Sequence, residues 1–70
     1  MAIAECKRTH VVGKRRGAAG TRAVIVGATA RPTASLTLEI TETKEGTDLR
    51  VGEVFNVTTD DLDKFWNTLP

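Results

Sequence analysis

Seventy residues with 27% charged and 4% aromatic side chains make one small domain, 1–70, whose core is too small to be strongly stable on its own. A single cysteine excludes an internal disulfide, and Cys6 and His10 alone are too few soft ligands for a structural zinc site. The near-zero net charge of +1 conceals a division: residues 1–35 carry seven basic side chains against Glu5, and residues 36–70 carry three against eight acids.

In chain order, residues 2–12 alternate weakly and read either as a strand ending at Val11-Val12 or as a short helix. The opening stretch has no apolar run of signal-peptide type, and no segment approaches the ~20 apolar residues of a membrane span, so a cytoplasmic protein is expected. His10 reads as a structural or exposed strand residue rather than a general base, because no serine or acid partner beyond Glu5 lies near it. Cys6 reads as structural and partly buried, with Lys7 and Arg8 placed to lower its pKa.

Gly13-Lys14-Arg15-Arg16-Gly17-Ala18-Ala19-Gly20 is a basic, glycine-rich segment, expected to be a solvated, mobile connection. Its spacing fits neither the Walker A loop nor the dinucleotide fingerprint. Cations beside glycines suit phosphate or acidic protein. Lys14, Arg15, Arg16 and Arg22 are therefore the main candidate binding residues, with Lys7, Arg8 and Arg31 joining them if the strands bring them to one face.

Ala23–Ala28 is a short, β-branched apolar run that predicts a central strand buried on both faces, and Arg31-Pro32 marks its end. Leu36–Thr43 alternates strictly and predicts a half-buried strand, followed by a turn over Lys44–Thr47. Leu49–Val51 resumes the alternation, Gly52 predicts a bulge or bend, and Val54–Val57 continues the strand. Asn56-Val57-Thr58 matches a glycosylation sequon, which carries no weight without secretion.

Thr58-Thr59-Asp60-Asp61 has the hydroxyls and carboxylates of a helix start. Asp60, Asp61 and Asp63 together could suggest a hard cation, but capping accounts for the first two without any ion, and no metal is expected. Leu62, Phe65, Trp66 and Leu69 follow at helical spacing and predict one apolar stripe docked on the sheet. The expected architecture is α+β: an antiparallel sheet of about four strands with one C-terminal helix across a face. Phe55, Phe65 and Trp66 are all needed by the core, which disfavours base-stacking platforms such as OB or RRM domains. The small core and the opposed charges of the two halves predict a homodimer.

The ending from Phe55 through Trp66 to Pro70 resembles the strand-to-helix endings of very small phage-encoded anti-CRISPR-type inhibitor proteins. That resemblance implies a non-catalytic inhibitor or adaptor, acting in the host cytoplasm on a larger protein or ribonucleoprotein complex that handles nucleic acid. Neither catalytic residues nor a cofactor are expected. The alternative is direct contact of loop 13–20 with a nucleic-acid backbone or a nucleotide, and a nuclease-treated pull-down separates the two.

Overall fold

The computed structural model describes residues 2–69. In chain order the elements are β1 (Ile3–Cys6), β2 (His10–Val12), β3 (Arg15–Gly17), β4 (Arg22–Thr29), β5 (Ser35–Glu42), β6 (Val54–Thr58), α1 (Thr59–Phe65) and β7 (Trp66–Leu69). Five strands form one antiparallel sheet in the order β6-β5-β4-β1-β7, and β2 and β3 form a separate hairpin. The α+β class stands, with five strands in the main sheet.

The strict alternation of residues 36–41 becomes β5. Leu38 and Ile40 point into the core, and Leu36 packs against its margin. The core also takes Ala4 and Cys6 from β1, Ala23 from β4, Val57 from β6, Leu62 from α1, Trp66 from β7 and Leu49 from the 43–53 connection. All lie on one side of the sheet, where α1, the hairpin and the Leu49 loop cover them. The run Ala23–Ala28 forms the central strand β4, but only one of its faces is covered: Val26 is 49% exposed. Too few residues remain outside the sheet to form a second covering layer.

Thr58 caps α1 by accepting the backbone N–H of Asp61 at 3.2 Å, and Asp60 and Asp61 occupy the first turn. The helix then stops at Phe65, where the sequence periodicity carries it on to Leu69. Trp66–Leu69 instead pairs with β1, Cys6 opposite Trp66 and Ile3 opposite Leu69. A strand ladder along the free edge of β1 satisfies these backbone groups, and Trp66 reaches the core either way, so helical spacing and strand alternation compete here. Residues 2–12 form β1 and β2, not a helix. Leu49–Val51 is not a strand: Leu49 is buried in a loop, and Gly52 turns the chain at φ +92° before β6 begins.

No described helix is long and apolar enough to cross a membrane. The strand order also mixes the two charge halves, since acidic β5 lies beside β4 and β7 lies beside β1.

Candidate functional site

The segment 13–20, expected as a solvated, mobile connection, is in part a tight β-hairpin that spans residues 10–17. Val12 pairs with Arg15, leaving the two-residue turn Gly13-Lys14. Gly13 takes φ +64° at the first central position, the conformation that lets a two-residue turn follow the strand twist. Directly paired residues share a face, so His10, Gly17, Val12 and Arg15 look inward, and Val11 and Arg16 look outward.

The inward side is fastened at several points. His10 is 6% exposed and stacks on Phe65, with ring centroids 4.3 Å apart and planes within 5°. Trp66 Nε1 donates to His10 Nδ1 at 3.0 Å, and the far ring nitrogen, Nε2, lies 3.9 Å from Asp61 Oδ2. An indole N–H can only donate, so Nδ1 must be bare and the imidazole neutral with its proton on Nε2. Burial lowers the His10 pKa below its ordinary 6.5, and the Asp61 carboxylate partly opposes that shift. One clasp thus joins the hairpin to both α1 and β7. Gly17 fits beneath Leu49, whose Cδ1 would stand 3.2 Å from any added Cβ.

The free edge of β3 is held by the loop ahead of β6. Asp48 N–H donates to Arg16 O at 2.7 Å, and Arg16 N–H donates to Asp48 Oδ2 at 3.1 Å. Thr47 Oγ1 accepts from Ala18 N–H at 2.8 Å and shares a 2.6 Å hydrogen bond with the buried Thr21 hydroxyl. Every buried side-chain polar atom among the described residues has a partner.

This frame divides the candidate cations. Arg15 is ion-paired with Glu53, whose Oε1 also accepts the Arg50 backbone N–H at 3.0 Å. Arg22 lies on the opposite face of the main sheet and bonds Glu5 at 3.0 Å. Arg31 lies in the connection 30–34, beyond the end of β4 opposite Arg22, and β4 alone spans about 23 Å at the rise of an extended chain. Lys14 at the turn and Arg16 on the outward side of β3 form no ion pair among the described residues. Lys7 and Arg8, in the link leading into β2, form none either. The hairpin and the link into it therefore carry Lys7, Arg8, Lys14 and Arg16, with Val11, opposite Arg16, 62% exposed, and Arg22 and Arg31 lie elsewhere.

Cys6 is almost fully buried, and its thiol donates to Arg8 O at 2.8 Å. Desolvation raises its pKa, overturning the expectation that Lys7 and Arg8 would lower it. Among the described residues no three His, Cys, Asp or Glu side chains converge as metal ligands.

Sequence reasoning missed the His10–Phe65–Trp66 clasp. The available signal was the only tryptophan, whose buried N–H requires an acceptor, in a chain with one histidine. No protein family, curated sequence or solved structure compared with this chain matches it.

Proposed function

We propose that this protein is a non-catalytic binding module that presents the β2–β3 hairpin as a rigid basic arm to an acidic surface of a larger complex. The observation that carries this reading is the contrast within one hairpin. Arg15 is neutralised by Glu53 in the same chain, while Lys14 and Arg16, one residue either side, have no carboxylate partner among the described residues. Repulsion among Lys7, Arg8, Lys14 and Arg16 is a cost to the isolated domain that an acidic partner relieves. The clasp at His10 and the Asp48 edge contacts hold the arm in place before binding, which reduces the ordering entropy lost on association.

An acidic protein surface fits better than bases. Trp66 is 2% exposed, Phe65 is stacked on His10, and Phe55 packs against the core, so no aromatic ring of the described chain is free to stack a nucleobase. Contact with a phosphate backbone remains the second reading, favoured by the same unpaired cations. Within the first, the resemblance of residues 55–70 points to inhibition of a nucleic-acid-handling complex in a host cytoplasm.

Crosslinking tests the assignment. A photoreactive amino acid in place of Val11, which shares the outward face with Arg16, should trap the partner far more efficiently than the same group in place of Asp63 on α1. A protease-sensitive, nuclease-resistant adduct supports the protein reading, and a nuclease-sensitive adduct supports the phosphate reading. Equal trapping from both positions refutes the hairpin as the contact.

A further inference from the structure

The sheet face opposite the core is uncovered, and register arranges it in an orderly way. Leu69, Ile3, Val24, Glu39 and Val54 stand in one row straight across β7, β1, β4, β5 and β6. The core residues Ala4, Ala23, Leu38 and Ile40 belong to the other face, so this row looks outward. Ile3 is 37% and Val54 56% exposed. One step along the strands, Arg22 and Glu5 form their ion pair on the same face, and on the other side of Val24 lies Gly27, paired with Thr37.

We infer that this face joins a second copy of the chain, the two sheets crossing nearly at right angles about a two-fold axis at Val24. The inference is independent of the hairpin's proposed role. Its basis is charge complementarity under that one symmetry operation. Arg22 lies two residues along β4 from Val24, ~6.6 Å, and Glu39 lies one strand across, ~4.8 Å. An axis lying in the face and running diagonally to the strands exchanges along-strand and across-strand offsets. It therefore sets Arg22 of each copy over Glu39 of the other, giving two equivalent charge pairs. It also sets Ile3 of each copy over the Gly27 stretch of the other's β4, where the missing side chain leaves room. Near-parallel packing brings like charges together, Arg22 over Arg22 for an axis along β4 and Glu39 over Glu39 for an axis across the strands, so the crossed arrangement is the one selected. Glu42 falls near the axis, and Lys44 holds it at 2.7 Å within its own chain, which blunts its repulsion of the other copy's Glu42.

Other occupants fit less well. The face carries three carboxylates, Glu5, Glu39 and Glu42, against Arg22 and Lys44, which disfavours a polyanion. An extended peptide would pair with an exposed strand edge rather than lie on a flat face. The five strands, from four to eight residues and about 19 Å long on average, cover roughly 460 Å² in projection, and side-chain relief brings this toward the ~800 Å² per partner of a standard interface.

Sedimentation equilibrium from 1 to 500 µM tests the inference. The wild type should double its mass across that range. Glu39→Arg should raise the dissociation constant at least tenfold, and Val24→Asp should give a monomer with an unchanged circular dichroism spectrum. Amide shifts of the wild type followed on dilution provide a reading independent of how any variant folds. Changes concentrated at Ile3, Val24, Gly27, Glu39 and Leu69 support the interface. A wild type that is monomeric throughout, a Val24→Asp variant that dimerises as tightly as the wild type, or dilution shifts confined to the hairpin or α1 would each overturn it.

Discussion

Mild acid should loosen this fold through His10 before most carboxylates begin to titrate. The ring is 6% exposed between Phe65 and Trp66, and the Trp66 indole forces Nδ1 to stay bare. A proton added there would turn two N–H groups against each other. The charged or titratable neighbours are the Asp61 carboxylate at 3.9 Å on α1 and the Cys6 thiol on β1, which burial keeps protonated. Asp61 favours the imidazolium but does not outweigh desolvation, so the folded pKa lies below the ordinary 6.5. Between the folded pKa and that value, the unfolded chain binds the extra proton. Stability is therefore complete above pH 6.5 and is lost as pH falls from there toward the folded pKa, at up to about 1.4 kcal/mol per pH unit. Against a net stability of about 3–5 kcal/mol, that limiting slope amounts to at most roughly a quarter to a half per unit. Urea unfolding followed by fluorescence of the single tryptophan at pH 7.5, 6.5 and 5.5 should show the midpoint falling. His10→Gln, whose carbonyl can still accept from Trp66, should flatten the profile over the same range. A wild-type midpoint that holds constant or rises on acidification would refute the reasoning, as would an equal fall in the variant.

Trp66→Ala should cost about 3–5 kcal/mol by opening a cavity in the core beside Phe55 and removing the donor to His10, enough to abolish the circular dichroism signature of the fold at 25 °C. Thr47→Val removes the acceptor of Ala18 N–H and the partner of the buried Thr21 hydroxyl; calorimetry should register about 1–3 kcal/mol of destabilisation. Lys14→Gln with Arg16→Gln should leave the unfolding free energy from urea titration within about 0.5 kcal/mol per substitution of the wild type. If the partner is nucleic acid, titration of a duplex DNA probe across salt should show the slope of log K against log salt falling by about 0.9 per lost phosphate contact.

Elements whose local pattern admits one periodicity were legible in the sequence. The alternation of residues 36–41 has no helical reading, and it became β5; Ala23–Ala28 is too short and too β-branched for a helix, and it became the middle strand. Thr58 acts as the cap its hydroxyl suggested. Trp66–Leu69 went astray because Phe65, Trp66 and Leu69 satisfy a helix and Trp66 and Thr68 satisfy a strand. The choice between them was made by the free edge of β1, some sixty residues away in sequence. The hairpin was obscured because its strands are three residues long and polar on one side, so composition resembled a loop. Its order comes from contacts distant in sequence: His10 with Trp66, Arg16 with Asp48, Arg15 with Glu53. The candidate site was accordingly half legible. The basic residues were visible; that Arg15 and Arg22 are ion-paired, while Lys7, Arg8, Lys14 and Arg16 have no ion pair among the described residues, required the fold.

Capture of partners by tagged wild-type protein and by the Lys14→Gln/Arg16→Gln variant, from nuclease-treated extract of the cells in which the protein acts, decides whether the hairpin is the binding surface. The wild type should retain a defined protein partner that the variant, folded to the same urea midpoint, loses at least tenfold. Recovery of the same partner in equal amount by both proteins would contradict the account.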